Sequence, residues 1–213
     1  MRKLAYILPL LFLLSFTTDV NDAKATAILK KVSAVYQKYK TMKSTFTLNT
    51  TDRSNKTTKS TGTLWLKGEK FVLDYSGQTI FCDGKYTWTY NPIDKEVTKE
   101  KYKKRNGSIS PNEIFSIYKK DFKNLYEGDS KIGTATNYVI KMVPTKRKNY
   151  SYLKLYIDKS NNKISQLSQY SKNGTTVTIE VDKFENDIAG VTDASFEWNP
   201  AAYPGVTLVD LSK

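Results

Sequence analysis

Residues 62–92 read GTLWLKGEKFVLDYSGQTIFCDGKYTWTYNP, and this stretch decides the fold class. Its apolar and aromatic side chains recur at every second position in three runs, Leu64/Leu66, Phe71/Leu73/Tyr75 and Tyr86/Trp88/Tyr90. A period of two is typical of half-buried antiparallel strands. The pair Asp83-Gly84 favours a tight hairpin, because glycine tolerates the positive φ of such a turn. The stretch therefore predicts an antiparallel sheet with a broad apolar face.

The N-terminal residues have the pattern of an export signal. Arg2 and Lys3 precede an apolar run at residues 4–16, which is shorter than the roughly 20 residues of a membrane-spanning helix. We therefore expect residues 1–21 to be a signal peptide, with an uncleaved anchor as the alternative. Residues 22–213 are enough for a single domain with a sizeable core.

The composition argues against most kinds of catalysis. The chain has no histidine and one cysteine, Cys82, so Ser-His-Asp, Cys-His and His-metal sites and an intramolecular disulfide are excluded. The carboxylates Asp74, Asp83, Asp94 and Glu96 could in principle act as a glycosidase pair, but their turn and edge positions favour structural roles. We expect no enzyme activity, no catalytic residue, no metal and no cofactor.

The formal net charge is +13, and basic residues occur in runs at 99–105, 119–123 and 146–148. Such runs are either solvated loops or attract an anionic partner such as lipid headgroups or nucleic acid. Tyrosines between the lysines are compatible with binding of a single strand, although they also favour β-strands. The export signal favours membranes, so no nucleic-acid partner is expected.

Two helices are predicted outside the strands. Residues 21–40 carry one apolar stripe, formed by Ile28, Leu29, Val32, Val35, Tyr36 and Tyr39. Residues 111–120 follow a helix-start pattern with Ser110 as the cap, Pro111 first and Glu113 third. Each helix needs an apolar surface to cover, and the sheet is the largest one available.

The expected fold is therefore mainly β (α+β). It is an incomplete, strongly curved antiparallel β-barrel of about eleven strands, with the helices on its concave side. Residues 93–102 are predicted to be a charged edge strand, and residues 194–198 and 206–211 the last two strands. The apolar space under the helices is either a ligand cavity or a filled core, which periodicity does not separate.

Three motifs resemble one known family. They are GxLWxK at 62–67, DGKxxWxYNP at 83–92 and PGVxxxD at 204–210, and they follow a helix containing AILKKV at 27–32. In this order the chain resembles the outer-membrane lipoprotein carrier (LolA) family of Gram-negative bacteria, from about residue 23 to the C-terminus.

The resemblance implies a function without covalent chemistry. Members of that family take acylated lipoproteins from an inner-membrane ABC lipoprotein exporter, carry them through the periplasm and deliver them to an outer-membrane acceptor. A periplasmic monomer is expected. The alternative is an envelope lipid-binding sensor or regulator built on the same half-barrel.

The resemblance and the strand phase together suggest site residues. The lipid-cavity candidates are Leu29, Val32, Phe46, Leu64, Leu66, Phe71, Leu73, Trp88, Ile114 and Phe115. The family closes its lid onto an arginine just after the WxK motif, where this chain has Lys67-Gly68-Glu69-Lys70 instead. Lys67 and Lys70 are therefore the candidates for the lid latch.

Overall fold

A computed structural model of the protein describes residues 22–103, 110, 113, 115–119 and 121–213. The predicted signal peptide lies outside the described residues. The described part contains the strands β1 (Met42–Thr51), β2 (Thr57–Lys67), β3 (Lys70–Tyr75), β4 (Gln78–Cys82), β5 (Tyr86–Asn91), β6 (Glu96–Lys101), β7 (Phe122–Ile132), β8 (Ala135–Pro144), β9 (Tyr150–Asp158), β10 (Ile164–Ser171), β11 (Thr176–Asn186) and β12 (Thr207–Asp210).

These strands form one curved sheet in the order β12-β6-β5-β4-β3-β2-β1-β11-β10-β9-β8-β7. β12 and β7 are its two edges, so the sheet is open, and the predicted incomplete barrel is confirmed. Neighbouring strands pair antiparallel, except that β12 pairs parallel with β6. The hydrogen bonds of β12 cover β6, which is therefore not the edge strand that its charge predicted.

The C-terminal region differs from the expectation in one more element. Residues Asp193–Phe196 form a 3-10 turn, where a strand was predicted. The local reason is a capping box, in which the backbone N–H of Thr192 donates to Ser195 Oγ at 3.1 Å. A capping box satisfies the free N–H groups of a helical turn and so favours it over an extended chain.

The first predicted helix is present as α1 (Ala23–Tyr36). Asp22 caps it, because its Oδ1 accepts hydrogen bonds from the backbone N–H groups of Lys24 at 2.8 Å and Ala25 at 3.4 Å. The helix ends at Tyr36, four residues before its predicted end at Lys40. There the chain tightens into i+3 hydrogen bonds at Lys38 and Tyr39 before β1 begins.

The second predicted helix is present only as a short turn in the described residues. Ile117–Lys119 form a 3-10 turn, and the N–H of Glu113 donates to the carbonyl of Ser110 at 2.9 Å. Glu113 Oε2 in turn accepts from the N–H of Ser110 at 3.3 Å, as the predicted cap requires. Pro111 and Ile114 lie outside the described residues.

The sheet face on which α1 packs is called the inner face, and the opposite one the outer face.

Gly62 shows why the opening motif begins with glycine. It lies opposite Phe46 in the β1–β2 ladder, and a Cβ there would lie 2.5 Å from Phe46 Cζ and 2.6 Å from the carbonyl oxygen of Asp74. A strand glycine often marks such a close approach. The Phe46 ring therefore lies directly over the backbone of β2.

The hairpin predicted at Asp83-Gly84 is confirmed between β4 and β5. Asp83 Oδ1 accepts from the backbone N–H groups of Lys85 and Tyr86, both at 2.7 Å. Gly84 has φ +90°, which a residue with a side chain rarely adopts. This turn sets the register of the aromatic strand β5 against β4.

Candidate functional site

The inner face brings together most of the predicted cavity residues. One hydrophobic cluster contains seven of them, each at most 7% exposed: Leu29, Val32, Phe46, Leu64, Leu66, Phe71 and Phe115. Leu73 is half-buried and packs against the same cluster. Ile114 lies outside the described residues. In the described part of the chain these side chains of the sheet pack against α1 and Phe115.

Trp88 does not belong to the inner face, and this corrects the prediction. It lies opposite Phe81 in the β4–β5 ladder, whereas the inner-face residue Cys82 lies opposite Thr87. Strand residues point alternately to the two faces, so Trp88 points outward. Its neighbours there include Lys99, whose Nζ lies 5.9 Å from its ring centroid. Alternation alone could not show which phase of β5 faces α1.

α1 and the segment around Phe115 cover the inner face, and we call them the cover. Hydrogen bonds join α1 to the sheet at both ends of the helix. At its start, the N–H of Tyr126 donates to Asp22 Oδ2 at 3.0 Å, and the N–H of Asp22 donates to the carbonyl of Asn124 at 3.2 Å. The bond from Tyr126 lowers the pKa of Asp22 below its ordinary value. At the end of the helix, the N–H of Ile164 donates to the buried hydroxyl of Tyr36 at 2.9 Å, and burial raises the pKa of that hydroxyl.

An aromatic cluster joins α1, the segment after Ser110 and β11. The ring centroids of Tyr36 and Phe115 are 5.0 Å apart, those of Phe115 and Phe184 5.5 Å, and those of Tyr36 and Phe184 5.6 Å. Such pairs contribute about 0.5–1.5 kcal/mol beyond their burial. The sequence placed Tyr36 on the helix stripe, but nothing in the pattern of β11 indicated that Phe184 would meet it.

On β1 and β3, burial on the inner face falls toward the end that carries the β1–β2 and β3–β4 turns. Phe46 and Phe71 are buried, whereas Leu48, Leu73 and Ile179, which lie nearer the β1–β2, β3–β4 and β10–β11 turns, are half-buried. We call these last three residues the open part of the inner face. It is the place where an apolar ligand can first contact the face without displacing α1.

The two latch candidates are on the outer face. Lys67 Nζ lies 2.8 Å from Asp193 Oδ1, and Lys70 Nζ lies 3.0 Å from Asp193 Oδ2. The hydrogen bond from Lys67 lowers the pKa of Asp193 most, and the hydrogen bond from Lys70 lowers it further. The prediction that these lysines hold the helical lid is corrected: in the described structure they hold the C-terminal 3-10 turn against the outer face.

The same turn helps to enclose a second apolar space. A groove of about 350 Å³ lies between Trp65, Val72 and Phe81 of the outer face and the segment 188–196 that arches over them. Farther along, Trp198 stacks on Tyr203 with centroids 4.2 Å apart and meets Phe81 at 5.8 Å. The described part of the chain thus has an apolar site on each face of the sheet.

The described residues contain no group of three or more His, Cys, Asp or Glu side chains that could hold a metal ion. Nor does a helix in the described part of the chain have the length and hydropathy needed to cross a membrane.

Comparison with protein families now identifies the chain's relatives. Residues 37–199 match the model of the family described as outer membrane lipoprotein carrier protein LolA. The chain belongs to the LolA family. The match contains β1 to β11 with the inner face that they build, and the resemblance inferred from the motifs is confirmed. A comparison with curated protein sequences finds no match.

Solved structures resemble this chain over most of its length. An uncharacterized conserved protein from Thermus thermophilus superposes with TM-score 0.59 at 12% identity, over 88% of this chain and 99% of that one. A LolA superfamily protein from Nitrosomonas europaea has TM-score 0.45 at 14% identity, over 82% and 97%. A putative outer membrane lipoprotein-sorting protein domain from Vibrio parahaemolyticus has TM-score 0.47 at 12% identity, over 82% and 96%.

Proposed function

We propose that this LolA-family protein carries the acyl chains of lipoproteins on its inner face, from the inner to the outer membrane through the periplasm. One observation carries the proposal. The described part of the inner face is a continuous apolar cluster covered by α1 and Phe115, and hydrogen bonds to the sheet hold α1 at its two ends. Membership of the LolA family supports acylated lipoproteins as the ligand class. The action is binding and release, without catalysis or a cofactor.

The energetics fit a carrier. Burial of each CH₂ group is worth roughly 0.8 kcal/mol, so a long acyl chain exposed to water costs on the order of 10 kcal/mol. A face that already buries apolar side chains can exchange them for an acyl chain at little net cost. The exchange keeps binding reversible, because the protein's own cover returns when the ligand leaves.

We propose that the acyl chain enters at the open part and displaces the cover. Leu48, Leu73 and Ile179 are the accessible apolar residues there, and the chain then reaches the buried Phe46 and Phe71. The ring of Phe115 leaves its position between Tyr36 and Phe184. The partners in this scheme are an ABC exporter as donor and an outer-membrane acceptor.

A matched pair of variants tests which face binds the acyl chain. Leu73 and Val72 are adjacent in β3 and both half-buried, but Leu73 faces inward and Val72 lines the outer groove. We expect Leu73→Asn to weaken binding of a purified triacylated lipoprotein about tenfold or more, since a polar group in the apolar path costs on the order of 1–3 kcal/mol. Val72→Asn should bind like the wild type.

If Val72→Asn weakens binding and Leu73→Asn does not, the acyl chain binds in the outer groove. If both variants bind as tightly as the wild type, the acyl chain does not bind to either face of the sheet. In cells, depletion of the protein should make outer-membrane lipoproteins accumulate at the inner membrane. Unaltered lipoprotein sorting would overturn the carrier proposal. If acyl binding survived in that case, the lipid-binding sensor would be the better interpretation.

A further inference from the structure

Five basic residues converge at one end of the strands. Arg53 lies in the β1–β2 turn, Lys146, Arg147 and Lys148 in the β8–β9 loop, and Lys172 in the β10–β11 turn. The last four line a groove of about 760 Å³ together with Asn149, Ser171 and Asn173. We call the five residues the basic tip.

The basic tip is held together by contacts between its three turns. The Arg53 guanidinium donates from Nε to the carbonyl of Asn173, and the N–H of Lys172 donates to the carbonyl of Asn149 at 3.2 Å. Gly174 makes room for Arg53, because a Cβ at that position would lie 2.9 Å from Arg53 Cγ. Segments more than a hundred residues apart are thereby fixed as one surface.

The charge of this surface is largely uncompensated. Lys146 pairs with Asp121 at 3.1 Å, whereas the other four cations form no ion pair within the described part of the chain. Arg53, Arg147 and Lys172 are exposed to solvent. A cluster of this kind attracts an anionic surface over roughly a Debye length.

The basic tip is at the same end of the strands as the open part of the inner face. Leu48 precedes the last residue of β1, Thr51, by three positions, which is about 10 Å along the strand. Ile179 is equally close to the first residue of β11, Thr176, beyond the turn that carries Lys172. A surface that contacts the basic tip is therefore next to the entrance of the apolar face.

We propose that the basic tip docks the protein on an anionic lipid bilayer, with the open part of the inner face turned toward the headgroups. The inference rests on the proposed function only for its purpose, which is to bring the acyl site to the membrane. Docking itself is a property of the charges and does not require a bound lipoprotein.

The make-up of the groove favours a bilayer over nucleic acid. Its seven lining residues include no aromatic side chain on which a base could stack. Tyr150, at the start of β9, is buried and stacks on Phe122. Basic side chains spread over three turns match the diffuse charge of a headgroup layer.

A vesicle-flotation experiment with the full mature protein tests the inference. The probe is vesicles of one part phosphatidylglycerol to two parts phosphatidylcholine, with pure phosphatidylcholine as the uncharged comparison. The tip variant carries Arg147→Glu, Lys148→Glu and Lys172→Glu. The control variant carries Lys30→Glu, Lys85→Glu and Lys131→Glu, which changes the net charge equally on α1 and at the other end of the strands.

We expect the wild type to float with the anionic vesicles and to lose binding as salt rises. The tip variant should bind at least about a hundredfold more weakly, from roughly fivefold per basic residue, and the control variant less than about tenfold more weakly. Equal losses in the two variants would show a net-charge effect without a docking surface and overturn the inference. Equal binding of the wild type to uncharged vesicles, or preferred binding to single-stranded DNA or an acidic peptide, would also overturn it.

The test is separate from that of the carrier. If the tip variant still binds the soluble acylated lipoprotein but not vesicles, docking and acyl binding are distinct, as proposed. If Leu73→Asn loses acyl binding while vesicle binding is unchanged, the carrier and the docking surface are both supported. If the wild type binds no acylated lipoprotein, the carrier proposal fails, and the flotation result still decides the docking proposal by itself.

Discussion

The hydroxyl of Tyr36, at the end of α1, accepts a hydrogen bond from the backbone N–H of Ile164, at the start of β10. The two residues are 128 positions apart in the chain, and their bond is buried. It ties the cover of the inner face to the sheet at a point where the same ring also contacts Phe115 and Phe184. In the proposed carrier function, we expect this joint to loosen when an acyl chain displaces the cover.

Tyr36→Phe should weaken the joint without removing the ring. The N–H of Ile164 then stays buried without its partner, so we expect the free energy of unfolding to fall by about 1–3 kcal/mol. Tyr39→Phe is the matched control, because Tyr39 is only half-buried, and it should change stability by less than about 0.5 kcal/mol. Urea denaturation measures both. Equal effects would show that the hydroxyl of Tyr36 does not hold α1.

Gly62→Ala should destabilise the sheet at the start of the GxLWxK motif. A methyl group there meets both the Phe46 ring and the backbone carbonyl of Asp74, so overpacking of about 1–3 kcal/mol or more is expected. Thr61→Ala, one residue earlier at an exposed position, should cost no more than about 0.5 kcal/mol. Thermal unfolding compares the two, and a Gly62→Ala protein as stable as the wild type would refute the close packing.

The ion pairs of Asp193 make the C-terminal 3-10 turn sensitive to acid. Lys67 and Lys70 lower the folded pKa of Asp193, so the pairs stabilise the folded turn above the ordinary aspartate pKa of about 4. This contribution is lost as the pH falls through the lowered folded pKa.

An NMR titration from neutral to acidic pH should therefore shift the amide signals of residues 188–196 below about pH 4. Asp193→Asn should show the shifted positions already at neutral pH and no further transition in this segment. The amides of β8 and β9 are the internal control. A segment that titrates identically in both proteins would mean that Asp193 does not hold it.

The thiol of Cys82 should be unreactive in the folded protein. Cys82 is buried on the inner face, and burial raises its pKa to about 11. At mildly alkaline pH the folded chain should react with iodoacetamide at least about a hundredfold more slowly than the urea-unfolded chain, because the thiolate is the reactive form. The thiol of Cys82 should stay protected from alkylation when an acylated lipoprotein is bound. Rapid alkylation of the folded protein would show that this part of the inner face is open to solvent.

Patterns of local sequence predicted much of the fold. The alternation around Phe71 and Tyr86 gave the strands correctly, and Asp83-Gly84 marked their hairpin, because both signals depend on neighbouring residues. The stripe of α1 identified Leu29 and Val32 as inner-face residues. Predictions failed where a local pattern has two solutions, as for Trp88, whose strand can present either phase to α1, and for residues 194–198, where a capping box overrode the strand pattern.

The sequence by itself determined the strand order along the chain, the first helix and the LolA family, since alternation, capping residues and the three motifs are all properties of short segments. Only the tertiary structure decided that Phe184 meets Tyr36, that Lys67 and Lys70 hold Asp193, and that Arg53 joins the turn of Lys172 in one basic tip. These outcomes depend on register and on residues more than a hundred positions apart. Their contact energies exist only once the sheet has brought the segments together.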